Sequence, residues 1–94
     1  MTPESLRSLT AVPTKLSLIV QALWHDAHGD WESAHNCAQD DHSKLGSWMH
    51  AYLHRKEGDI GNARYWYSGA GRPVFQGMLD EEWEAIAVEA LKGR

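Results

Sequence analysis

Histidine is the residue type with the most chemical potential in this sequence, because six histidines occur among its 94 residues. His50 and His54 are four residues apart, and His25 and His28 are three apart. On a helix, either spacing places two rings on one face, from which both could bind the same metal ion. The sequence contains no His-Glu-x-x-His and no Cys-x-x-Cys motif, so the two pairs alone indicate a metal site only weakly.

The other residues that could do chemistry stand alone. Cys37 has His35 two positions away, but residues i and i+2 point apart on a helix, so we expect an inert, partly buried thiol. His25 is followed by Asp26, a dipeptide found in metal-dependent phosphohydrolases, which need further His and Asp residues and a longer chain. No Gly-rich phosphate-binding loop precedes a helix. The sequence therefore predicts no catalytic residue and no enzyme.

Composition and charge exclude several classes of protein. The formal net charge is −4 and the basic residues are scattered, which argues against a nucleic-acid partner. No apolar stretch is long enough to cross a membrane, and no signal peptide opens the chain. The single cysteine allows no internal disulfide and fits a reducing compartment, so we expect a cytoplasmic protein. A hydrophobic fraction of 43 % is typical of a globular domain.

Two segments of the chain repeat each other when Leu16 is aligned with Leu45. Large apolar residues recur at helical spacing in both, which predicts two amphipathic helices. Six pairs are identical: Leu16 and Leu45, Ala22 and Ala51, His25 and His54, Gly29 and Gly58, Asp30 and Asp59, Ala34 and Ala63. Because His25 and His54 are equivalent positions of the repeat, we interpret both as packing or hydrogen-bonding residues rather than ligands.

The Gly-Asp junctions predict how each unit folds. We expect Gly29 and Gly58 to end their helices with a positive φ, and Asp30 and Asp59 to cap the helices that follow, over about 31–39 and 60–69. Each unit would then be an antiparallel helical hairpin. The positions expected to be mostly buried are Leu16, Val20, Leu23, Trp24, Trp48, Met49, Tyr52, Leu53 and Ala63. The inner stripes of the two second helices are expected to contain Trp31, Ala34 and Ala38 in the first unit, and Ile60, Ala63, Tyr67 and Ala70 in the second.

The whole chain is predicted to be one all-α domain, residues 1–94. Its repeat units cover about 14–41 and 43–71, and a capping helix covers about 79–92. Pro3 is placed to begin a short N-terminal helix. Residues 74–77 are expected to be irregular, and Trp83 lies on the apolar stripe of the capping helix.

The repeat resembles tetratricopeptide hairpins, and especially the Sel1-like variety. Those hairpins carry a Gly-Asp or Gly-Asn turn with Ala five residues after the Gly, as at Gly29 and Gly58. Residues 63–70 resemble the Ala-x-x-Trp-Tyr-x-x-Ala pattern of Sel1-like second helices, and residues 53–67 resemble part of a family of small bacterial helical proteins. The tetratricopeptide resemblance implies two stacked hairpins that bind peptides or proteins in a groove.

A difference between the two units predicts the binding surface. Residues 36–38 are Asn-Cys-Ala, whereas the equivalent residues 65–67 are Tyr-Trp-Tyr, and three adjacent aromatics cannot all face inward on one helix. We expect Trp66 to pack on the capping helix near Trp83, or else to join Tyr65 in a surface for recognition. The residues predicted for this surface are Arg55, Glu57, Asn62, Tyr65, Trp66 and Arg72.

The sequence thus favours a non-enzymatic module whose partner is a protein, a peptide or a second copy of the chain. No cofactor or metal is expected to be needed. The alternative is a protein that binds a small ligand or a metal through the His and aromatic residues of the second hairpin, and a small hydrolase is the third. A metal site would require at least three His or carboxylate groups to converge in the fold.

Overall fold

The structure describes the chain as entirely helical. A computed structural model describes residues 1–92, which contain six helices and no strand, so the all-α fold class is confirmed. The helices are α1 (Pro3–Ser8), α2 (Leu18–Ala27), α3 (Trp31–Asp40), α4 (Lys44–Glu57), α5 (Ile60–Ala70) and α6 (Leu79–Leu91). None of the helices in this part of the chain is long and apolar enough to span a membrane.

The two Gly-Asp junctions have the predicted local structure. Gly29 and Gly58 both have a positive φ, a conformation that costs glycine little because it has no Cβ. Asp30 accepts a hydrogen bond from the backbone N–H of Ser33, and Asp59 accepts one from that of Asn62. These side-chain caps satisfy N–H groups that the first turns of α3 and α5 leave unpaired. Each junction is therefore a tight connection between consecutive helices.

The helices pack mainly against their neighbours in sequence. The contacts between α4 and α5 and between α2 and α3 are the most extensive, α3 also lies against α4, and α6 contacts α4 and α2. Most predicted core positions are buried, but Leu16, Trp24 and Trp31 are only half-buried. Ile60, predicted to face inward, is 42 % exposed because it is the first residue of α5, outside the stripe of Ala63, Tyr67 and Ala70.

Two opposite faces of α4 carry different kinds of residue. Each residue of a helix is rotated by about 100° from the one before it, so residues two apart point in nearly opposite directions. One face carries Trp48, Tyr52 and Arg55, and the other carries His50, His54 and Glu57. The first face contacts buried carboxylates of α2 and α6, and the second faces α3 and α5.

A buried carboxylate joins α4, α5 and α6. Glu82 is 0 % exposed and accepts hydrogen bonds from Trp48 Nε1 at 3.0 Å and Tyr67 Oη at 2.5 Å. Arg55 Nη1 forms an ion pair with it at 2.9 Å, and Arg55 Nη2 donates to the carbonyl oxygen of Gly77. Burial and the hydrogen bond to Glu82 raise the pKa of Tyr67. A buried charge with three donors is well compensated, so this network holds the three helices in register.

A second buried carboxylate joins α2 to α4. Asp26 accepts a hydrogen bond from Tyr52 Oη at 2.6 Å and forms an ion pair with Lys56 Nζ at 2.8 Å. Burial, followed by that hydrogen bond, raises the pKa of Tyr52. Helix α6 is also joined to α2, because Trp83 Nε1 donates a hydrogen bond to the carbonyl oxygen of Leu23 at 3.0 Å.

Candidate functional site

Three histidines from two helices converge on the second face of α4. His35 of α3, His50 and His54 each present one ring nitrogen, and these three atoms lie within 4.8 Å of one another. His35 meets His50 edge-on with 4.4 Å between ring centroids, and it meets His54 at 5.3 Å. His50 and His54 lie nearly parallel at 4.9 Å. We call these three residues the His cluster.

Two tryptophans flank the His cluster. Trp66 of α5 stacks on His50 with a centroid distance of 3.8 Å and an interplanar angle of 9°. Trp31 of α3 stacks on His35 at 4.9 Å and 13°, and its Nε1 donates to the carbonyl oxygen of Leu53 at 2.9 Å. Because this hydrogen bond fixes Trp31 against α4, the two indoles restrict the orientations of His35 and His50.

The expectation that Trp66 packs on the capping helix near Trp83 is wrong. Trp66 lies on the α3 side of α4, whereas Trp83 lies on α2 and is covered by the guanidinium of Arg7, 3.9 Å from its ring centroid. The physical reason is the spacing along α5. Tyr67, one residue later, points to Glu82 and α6, so Trp66 is rotated away by about 100°.

His54 and His50 are both buried, but only His54 has a hydrogen-bond partner for its Nδ1. His54 Nδ1 donates to Glu57 Oε1 at 2.6 Å, which fixes the tautomer and leaves Nε2 as the nitrogen for another partner. His50 is 3 % exposed, and its Nδ1 has no hydrogen-bond partner among residues 1–92. An unpaired buried polar atom costs free energy, so this nitrogen calls for an explanation.

Two members of the cluster, His50 and His35, favour the uncharged form. Burial, and then the neighbouring His35 and His54, lower the pKa of His50 to about 4. Burial and His54 also lower the pKa of His35, against a smaller opposing effect of Glu57. At neutral pH these two rings are therefore neutral, which is the form of histidine that binds metal ions.

A second group of possible ligands lies next to the first. His54, Glu57 and Asp59 also have donor atoms within 4.8 Å of one another. Both carboxylates are exposed, Glu57 is bonded to His54, and Asp59 caps α5. These acidic groups already have structural partners, so the His cluster is the stronger candidate.

Three of the six residues predicted for binding, Glu57, Tyr65 and Trp66, lie at or next to the His cluster. Tyr65 is 69 % exposed and meets the ring of Trp66 edge-on at 5.2 Å. Glu57 orients His54, and exposed Asn62 belongs to the first turn of α5. Tyr65 and Trp66 are thus adjacent, with Trp66 forming a wall of the cluster.

The two predicted arginines lie elsewhere, which corrects the prediction of one continuous surface. Arg55 is bound to Glu82 on the opposite face of α4. Arg72 covers the ring of Trp48 at 3.7 Å and lines a shallow groove of about 250 Å³ with Lys44 and Glu89. Arg55 and Glu57 are close in sequence, but two steps along a helix separate their directions by about 160°.

Two residues of the site were not predicted from the sequence. In the sequence His35 is notable only as the neighbour of Cys37, and Trp31 only as part of an inner stripe. Their spacing of i, i+4 on a helix packed against α4 was the available signal. His25 and His28 of the other predicted pair instead contact Trp24 and belong to neither group of possible ligands in residues 1–92.

Comparisons with known proteins identify no relative of this chain. No family model matches the chain, and no curated protein and no solved structure matches it.

Proposed function

We propose that the protein binds a divalent transition-metal ion of the zinc class through His35, His50 and His54. The observation that carries the proposal is the convergence of three imidazole nitrogens within 4.8 Å. Imidazole is a ligand that zinc, copper and nickel share, whereas magnesium and calcium prefer oxygen. The chemistry of the donor set therefore selects the class of ion.

The spacing of the donors fits such an ion after a small adjustment. Zn–N bonds of about 2.1 Å in a tetrahedron place the nitrogens roughly 3.4 Å apart. The observed limit of 4.8 Å requires an approach of at most about 1.4 Å, which small shifts of the rings against Trp31 and Trp66 would supply. His50 and His54 are already on one face of α4 at the i, i+4 spacing of helical zinc ligands.

The surroundings support the same role. The carboxylate of Glu57 bonded to His54 Nδ1 is the arrangement that orients metal-bound histidines and raises their basicity. Buried His50, whose Nδ1 has no hydrogen-bond partner in residues 1–92, would gain a partner if that nitrogen bound the ion. Neutral imidazoles at His35 and His50 need lose no proton when a metal binds at neutral pH.

Calorimetric titration of the tag-free, metal-free protein with ZnCl₂ at pH 7.5 tests the proposal. We expect one saturable site, weakened at least about tenfold in His35→Ala and His50→Phe. His50→Phe keeps a ring against Trp66, and circular dichroism checks that each variant remains folded. His42→Ala is the matched control, because His42 is exposed and outside the cluster. Unchanged affinity in both cluster variants, or an equal loss in His42→Ala, would contradict the proposal.

Protein or peptide binding is a second candidate, and the exposure of Tyr65 favours it. A tyrosine that is 69 % exposed beside a half-buried tryptophan provides apolar area and a hydroxyl, which are common at recognition surfaces. The two helix pairs, α2 with α3 and α4 with α5, each begin their second helix at a Gly-Asp junction, which supports a tetratricopeptide- or Sel1-like stacking capped by α6.

Sedimentation velocity tests the simplest partner, a second copy of the chain. We expect concentration-dependent association that Tyr65→Ala weakens and Arg64→Ala, on a neighbouring exposed position, does not. A sedimentation coefficient that is independent of concentration, or equal effects of the two substitutions, would exclude Tyr65 as a self-association residue.

A further inference from the structure

We infer that a metal ion held by the His cluster keeps one coordination position for an exogenous ligand, a small monodentate anion or a water molecule. This inference rests on the proposed function and goes beyond it, because a site closed by four protein ligands is structural and a site with three is open to exchange. The number of available donors, the incomplete enclosure of the cluster and the charge of the site carry the inference.

The donor set has three members. Among residues 1–92, the group of mutually close donor atoms around His50 contains His35 and His54 and no carboxylate or thiolate. Glu57 is engaged at 2.6 Å with His54 Nδ1, where it orients the ring. Asp59 is engaged as the cap of α5. A tetrahedral ion bound by these three residues would therefore have one coordination position that no protein side chain fills.

Aromatic side chains and buried residues surround most of the His cluster. The indoles of Trp66 and Trp31 cover ring faces of His50 and His35, and His54 lies inside at 7 % exposure. His35 is only half-buried, so the protein does not fully enclose the cluster on the side of α3.

The charge of the site selects the ligand. Three neutral imidazoles contribute no negative charge, so the ion keeps its charge of +2, and Glu57 offsets one unit from beyond His54. An anion that donates one lone pair to the metal lowers this excess positive charge. The exchange is a simple substitution in which the metal–water bond breaks, the metal–anion bond forms, and no electron is transferred.

Cobalt substitution tests the inference with a readout that separates it from metal binding itself. Addition of Co²⁺ to the metal-free protein at pH 7.5 should give the intense visible d–d bands of a four-coordinate ion, and sodium azide should then shift these bands saturably. Glu57→Gln should bind Co²⁺ more weakly, because Glu57 orients His54, but at saturating Co²⁺ it should still show the azide shift, since Glu57 does not itself coordinate the ion. His50→Phe should lose most of the band intensity.

The outcomes distinguish the two claims. Failure of Co²⁺ to give four-coordinate bands would contradict the proposed metal site. Intense bands that azide does not change would retain the metal site and overturn the open position. An azide response that appears only in Glu57→Gln would also overturn it, because Glu57 would then be the fourth ligand.

Discussion

Acid should destabilise the metal-free protein through His50, and His50→Phe should remove that effect. His50 is buried between Trp66, His35 and His54, and its Nδ1 has no partner in residues 1–92. The titratable groups that face it come from α3 and α4, namely His35, His54 and, beyond His54, Glu57. The indole from α5 is uncharged. Protonation of His50 thus lacks a neighbouring anion in direct contact.

The sign and size of the effect follow from the pKa of His50. It is about 4 in the folded protein, against an unfolded value of about 6.5. Because the folded pKa is depressed, the unfolded chain binds the proton first, and stability is lost as pH falls from about 6.5 towards 4. At pH 5 the unfolded pKa lies about 1.5 above the pH, which corresponds to a loss of about 2 kcal/mol.

Urea unfolding followed by circular dichroism, in EDTA at pH 7.5 and pH 5.0, measures this loss. We expect the wild type to lose about 2 kcal/mol more than His50→Phe between the two pH values. The comparison of losses cancels any constant offset that the substitution causes in packing. Equal losses in the two proteins would refute the assignment of acid sensitivity to His50 and would place it on other groups.

Three further predictions concern stability. Glu82→Leu should lower the free energy of unfolding by about 3–5 kcal/mol, because it leaves the charge of Arg55 and two buried donors unpaired; a loss below about 1 kcal/mol in urea unfolding would contradict this. Gly58→Val should lower the free energy of unfolding by about 1–2 kcal/mol, since φ is positive there. A melting temperature equal to that of the wild type would argue against the turn. Tyr65→Ala should change the free energy of unfolding by less than about 0.5 kcal/mol, because the ring is exposed. Marked unfolding of that variant would mean that the ring is part of the core.

Local sequence signals predicted the helices and the junctions of this fold. A Gly followed by Asp at Gly29 and Gly58 defines a left-handed residue and a cap without reference to the rest of the chain. Apolar spacing predicted the buried faces of α2 and α4 in the same way. The error at Ile60 is local too, because a residue in the first turn of a helix is easily assigned to a stripe that begins one turn later.

The candidate site could be predicted only in part, because it depends on how helices pack. His50 and His54 are a pair that one helix defines, but His35 joins them through the packing of α3 on α4. Arg55 shows the converse. The polar residues around it in the sequence predict an exposed position. Its guanidinium instead binds buried Glu82 of α6, 27 positions away, on the face of α4 opposite the His cluster.

X-ray absorption at the zinc edge of the zinc-loaded protein tests the central claim most directly. We expect three imidazole nitrogens and one further light atom at about 2.0–2.1 Å, with the outer-shell scattering of histidine rings. In His50→Phe the imidazole count should fall and the spectrum should lose the features of a defined four-coordinate site. A shell of five or six oxygen atoms without imidazole scattering in the wild type would contradict the claim that the His cluster binds the metal.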